Sequence, residues 1–99
     1  MAHHPWLLAV GLLRVPINAT HAERTQARIA LALKAVSEGY ALIETFETDD
    51  NATKTDSTFQ VLEELAVRVD AQALVCSGAV DSARAHELAD RARMVIVTV

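Results

Sequence analysis

Cysteine is nearly absent. The single one, Cys76, has no partner for a disulfide within the chain and suits a reducing compartment. Proline and glycine are almost as scarce: two of one and three of the other leave little irregular chain between regular elements. Positive charge is in deficit. Nine Lys and Arg against thirteen Asp and Glu give a net charge of −4, so no basic surplus exists to neutralise phosphates, and stand-alone nucleic-acid binding is not expected. The longest apolar run, 6–15, is too short to cross a bilayer, so no membrane partner is expected either. No Lys or Arg precedes that run, so it does not read as a secretion signal and the expected location is cytoplasmic. The Asn-Ala-Thr sequons at Asn18 and Asn51 then read as turns. The phosphate-cradling patterns G-x-G-x-x-G and G-x-x-x-x-G-K-[ST] are missing, and no cofactor is implied. His3 and His4 lack a further ligand nearby, and the Asp49-Asp50 pair reads as a solvated loop tip, so no metal site is expected.

What is present is apolar sequence, 52% of the residues, which is too much for a disordered chain. Its 99 residues make one domain. The stretch 6–15, WLLAVGLLRV, is apolar without alternation, as in a strand buried on both faces of a parallel sheet. A helix follows over 20–38. Thr20 with Glu23 forms a capping box, and Gly39 stands where a left-handed C-terminal glycine belongs. Ala22, Gln26, Ile29, Ala30, Leu33 and Val36 share one side of that helix and are expected to face the core, leaving Leu31 exposed on the outer side.

The stretch 40–48 mixes apolar and polar residues, as an edge strand does, and 49–56 is a polar loop. Ser57 with Gln60 opens a second helix over 57–69, with Phe59, Leu62, Leu65, Ala66 and Val69 inward. A short buried strand follows at 71–76. Asp81 caps a third helix with Ala83, Leu88, Ala89 and Ala92 inward, and the chain closes on a strand at 94–99.

The order β-α-β-α-β-α-β predicts an α/β fold: a three-layer αβα sandwich on a four-stranded parallel sheet. Strand order 2-1-3-4, flavodoxin-like, is preferred to 3-2-1-4 because the first and third strands are the most apolar. In that order the last strand, from Met94 to Val99, is an edge without charge, Pro or Gly, and such an edge invites pairing. A homodimer through this strand or through helix 20–38 is the expectation.

Ligands of such sheets bind beyond the carboxyl ends of the strands, where the order reverses. That crevice, between the first and third strands, makes Arg14, Asn18, Ser77, Asp81 and Arg84 the candidate ligand-binding residues. Cys76 ends a buried strand with no base positioned by sequence, and reads as a core residue.

Leu12-Leu13-Arg14-Val15-Pro16, Ser37-Glu38-Gly39-Tyr40, and Leu74-Val75-Cys76 followed by Val80-Asp81-Ser82-Ala83-Arg84 carry a resemblance. In this pattern of elements the chain resembles the N-terminal catalytic domain of the serine recombinases, the resolvase/invertase family. The resemblance places that family's nucleophilic Ser at Pro16, which has no hydroxyl to attack phosphate. Arg14 and Asp81 match its catalytic set, but Ser82 stands where an Arg belongs and Arg84 is one place short of another. What the resemblance implies is a catalytically inactive resolvase-like domain acting as a protein-interaction or regulatory module. The alternative is a small-ligand or phosphate-binding protein, or an enzyme, using the crevice.

Overall fold

The computed structural model describes residues 7–49, 52–77, 80 and 82–99; His3, His4, Trp6, Asp50, Asn51 and Asp81 lie outside them. Four strands, β1 (Leu7–Arg14), β2 (Tyr40–Thr48), β3 (Ala73–Ser77) and β4 (Val95–Thr98), alternate with three helices, α1 (His21–Ser37), α2 (Ala52–Val69) and α3 (Ser82–Ala92). The sheet is all parallel in the order β2-β1-β3-β4, with helices on both sides. The expected three-layer α/β architecture and strand order are those found.

β1 and β3 are the two internal strands of the sheet, and both are apolar on both faces. Ala9, Val10, Leu12 and Leu13 are all buried, alternately on the two faces. Val10 and Leu12 join a core with Phe59, Leu62 and Ala66 of α2 and Ala85, Leu88 and Ala89 of α3. Ala9, Leu13 and Val15 join a second core with Leu31 and Ala35 of α1 and Ala73 and Val75 of β3. One sheet face therefore carries α2 and α3, and the other carries α1.

β2 contains a bulge. Ala9 pairs with Leu42 and Val10 with Glu44, so Ile43 is an extra residue in the ladder. The insertion reverses the side-chain phase. Tyr40 and Leu42 pack with the α1 core, whereas Phe46 packs with the α2 core.

α1 is turned over relative to its expected orientation. Leu31, expected outside, is 0% exposed, while Ile29, Leu33 and Val36, expected inside, are 53%, 65% and 61% exposed. The helix is apolar on both sides, so periodicity alone admits two solutions. The tertiary structure selects the side with small residues around one Leu. A Cβ on Gly11 would lie 2.6 Å from Leu31 Cδ2, so α1 presses onto β1 where β1 has no side chain. Ala27 and Ala35 flank that approach.

α2 begins at Ala52, not at 57, which shortens the expected polar loop; the Thr55 hydroxyl donates to the Asp49 carbonyl at 3.3 Å. Its expected inward stripe holds: Phe59, Leu62 and Ala66 are buried and Leu65 and Val69 half-buried. In α3, Ala85 is buried and Ala83, expected inward, is exposed.

α2 and α3 end alike. Ala71 N donates to Ala66 O at 2.9 Å and Asp70 N to Val67 O at 3.3 Å, and Met94 N donates to Ala89 O at 2.8 Å with Arg93 N to Asp90 O at 3.3 Å. These pairs are Schellman closures, with Asp70 and Arg93 in the left-handed region at φ 56° and 58°. Each delivers a buried residue, Ala71 or Met94, directly into the core ahead of the next strand.

Candidate functional site

The strands' carboxyl ends converge where a parallel sheet places its ligands. After β1, Val15 N donates to Thr48 O at 2.9 Å, extending the β1–β2 ladder by one bond, and Ala19 N closes a turn on Pro16 O at 3.0 Å. Thr20 then caps α1: its hydroxyl accepts from Glu23 N at 3.1 Å while Glu23 Oε1 accepts from Thr20 N at 3.1 Å. The Thr20 backbone N–H, and then its hydroxyl, hold the Glu23 carboxyl below the usual carboxylate range.

Of the expected site residues, Arg14 and Ser77 lie at the ends of adjacent strands and both are half-buried, but Ser77 pairs with Leu13, so it shares the α1 face with Leu13 while Arg14 lies on the opposite face. Asn18 is exposed on the turn. Arg84 is braced against α2, ion-paired to Asp56 with its guanidinium 4.4 Å from the Phe59 ring centroid. Asp81 lies outside the described residues.

The most developed polar cluster is elsewhere, between α1 and β2. Arg24 Nη2 donates to Glu47 Oε1 at 2.7 Å and Arg28 Nε to Glu47 Oε2 at 2.6 Å. The Glu47 side chain is 15% exposed, low enough that the pair of guanidiniums is its main solvation. Burial pushes its carboxyl up, but Arg24 and Arg28 outweigh burial and hold it below the ordinary value of 4.5. Neither Arg24 nor Arg28 is among the residues that sequence reasoning placed at a site. The missed signal was their i, i+4 spacing opposite a carboxylate on the edge strand.

A cleft of about 200 Å³ lies beside this cluster, lined by Val15, Pro16, Ile17, Arg24, Glu47, Thr48 and Asp49. It is smaller than the roughly 300 Å³ at which small-molecule pockets begin. A second cleft, of about 220 Å³, lies at the carboxyl ends of β3 and β4, where Cys76, Val80, Ile96 and Thr98 meet Ala85 and His86. Burial pushes the Cys76 thiol up to about 11, so it is protonated and a poor nucleophile at neutral pH. Among the described residues no group of His, Cys, Asp and Glu is arranged to hold a metal ion, and no helix is long and apolar enough to cross a membrane.

Fold and site together define a three-layer α/β protein with a parallel 2-1-3-4 sheet and, beside its edge strand β2, a carboxylate clamped by two arginines. No family model, curated protein or solved structure matches the chain.

Proposed function

We propose that this chain is a catalytically inactive, resolvase-like domain that serves as a protein-interaction module and pairs with a second copy of itself. The observation that carries the reading is the outer side of α1. Ile29, Leu33 and Val36 follow one another at helical spacing, each more than half exposed, on a side with no ionised residue among Ala22, Gln26, Ile29, Leu33 and Val36. Contiguous bare apolar surface of this kind marks association sites.

Several features support the absence of catalysis. Pro16 stands where the resemblance puts the nucleophile. Arg24 and Arg28 are engaged by Glu47, which neutralises much of their field toward an incoming anion. The Cys76 thiol is held in its protonated form. A cytoplasmic location belongs to the same proposal, supported by a single cysteine that is buried and free.

Sedimentation equilibrium tests the reading. A dimer at or below about 100 μM is the expected result, since useful self-association lies at micromolar dissociation constants or tighter. A monomer throughout that range would overturn it. So would a rise in melting temperature with inorganic phosphate or a nucleotide panel, which would favour a ligand-binding crevice instead.

A further inference from the structure

The two edges of the sheet are finished differently. The β2 edge is blunted twice. Its ladder is broken by the bulge at Ile43. Thr48 O faces β1, where it accepts from Val15 N, so Thr45, three residues back, has its N–H on the outer edge. That N–H is already taken by the Glu44 carboxylate at 3.1 Å. The β4 edge has no such device. Among the described residues β4 pairs with β3 alone, in unbroken register, and it carries no charge, Pro or Gly. Val95 N donates to Gln72 O and Val99 N to Cys76 O, both at 2.9 Å, so the odd-numbered residues turn their main chain toward β3. By the alternation of a strand, Ile96 and Thr98 turn their N–H and C=O groups outward. Two donors and two acceptors in a row are what an added strand would meet.

Resting on the self-pairing proposed above, we infer that the β4 strands of two copies join antiparallel, making one continuous eight-stranded sheet. Opposite residues of an antiparallel pair exchange both of their bonds, and a two-fold axis makes each exchange occur twice. Ile96 opposite Thr98 of the second copy therefore uses every outward group of both residues. Val97 then lies on the axis opposite itself, and Val95 meets Val99 of the second copy. Those two valines are the bare ones, 54% and 53% exposed, whereas Val97 is packed against the α1 core. Each bare valine covers the flank of the other across the pair. Setting Ile96 opposite itself fits less well. Thr98 would then face Met94, whose N–H is already given to Ala89 O at 2.8 Å, and Val99 would face Arg93. A second copy is the occupant because one short row of groups supplies both sides of the contact. The axis stands normal to the sheet, so α3, which packs on β4, comes to lie antiparallel beside α3 of the second copy. The α1 ridges of both copies then stand on one side of the joined sheet.

Cysteine cross-linking tests the register, and a main-chain block tests the edge. Val97→Cys puts a thiol opposite its twin at about 4.5 Å between Cα atoms, within disulfide range. With oxidised glutathione it gives a linked dimer of twice the mass. Val95→Cys alone gives none, and Val95→Cys mixed with Val99→Cys gives one. The wild type, whose one thiol is buried at Cys76, is the unlinked control. Thr98→Pro removes an outward N–H without touching the β3 ladder, so the chain folds, as circular dichroism checks, and the dimer is lost in sedimentation equilibrium. If that variant does not fold, the cross-links decide alone. A dimeric wild type whose Val97→Cys variant fails to cross-link, or whose folded Thr98→Pro variant stays dimeric, overturns the edge pairing and leaves self-pairing to the α1 ridge. Cross-linking by Val95→Cys alone overturns the register. A wild type that is monomeric up to about 100 μM overturns both the edge pairing and the self-pairing.

Discussion

Leu31 occupies the space a side chain on Gly11 would need: a Cβ on Gly11 would lie 2.6 Å from Leu31 Cδ2, with Thr45 Oγ1 at 3.1 Å and Leu42 Cδ1 at 3.3 Å closing the remaining directions. Leu31 is fully buried, so it cannot swing out to make room. Gly11→Ala therefore overpacks the α1 core and costs about 1–3 kcal/mol in urea unfolding. Trimming the obstacle with Leu31→Val in the same chain makes the double variant more stable than the sum of the two single losses.

Leu31 and Leu33 are chemically identical and two residues apart, yet one is fully buried and the other 65% exposed. Leu31→Ala is expected to cost about 2–5 kcal/mol and Leu33→Ala within about 0.5 kcal/mol in dilute solution. Paired denaturation curves check this. The reverse ranking would mean α1 sits on its other side.

Asp70 and Arg93 hold left-handed conformations at the ends of α2 and α3, where the end of α1 has Gly39 at φ 88°. Replacing either by Gly relieves Cβ crowding and should raise stability by about 0.5–1 kcal/mol. Arg93→Gly gains more, because Asp tolerates this region better than Arg. Thermal melts of the two variants rank them.

Glu47 carries a pH dependence of known sign. Its folded carboxyl is held below 4.5 by Arg24 and Arg28, so its contribution is fully present above the ordinary carboxylate value. That contribution is lost as pH falls through the depressed value, when the protonated acid can no longer pair with the arginines. With both guanidiniums half exposed, the clamp is worth about 0.5–1 kcal/mol. Stability measured from pH 7 down to 3 should fall less steeply for Glu47→Gln than for the wild type.

Much of the architecture is legible before folding because it depends on local pattern. β1 has apolar residues at both parities, which only a strand covered on both faces tolerates. Thr20, Glu23 and Gly39 bound α1 by interactions within a turn of each end. The candidate site was less legible. The placement of Arg14 and Ser77 at strand ends follows from strand order alone, whereas the Arg24–Glu47–Arg28 cluster needs the β2 bulge at Ile43 to direct Glu47 toward α1. A bulge leaves no period in the residue order from which to read it.

The order of residues by itself determined the seven elements, their parallel order and the two-sided burial of β1, because each rests on turn chemistry, period and a right-handed crossover. Which side of α1 meets the sheet was decided only in three dimensions. Helical period tells which residues share a side, but both sides of this helix are apolar. The choice came from contacts distant in sequence: the gap at Gly11 that admits Leu31, and the carboxylate of Glu47 that draws Arg24 and Arg28 down onto β2.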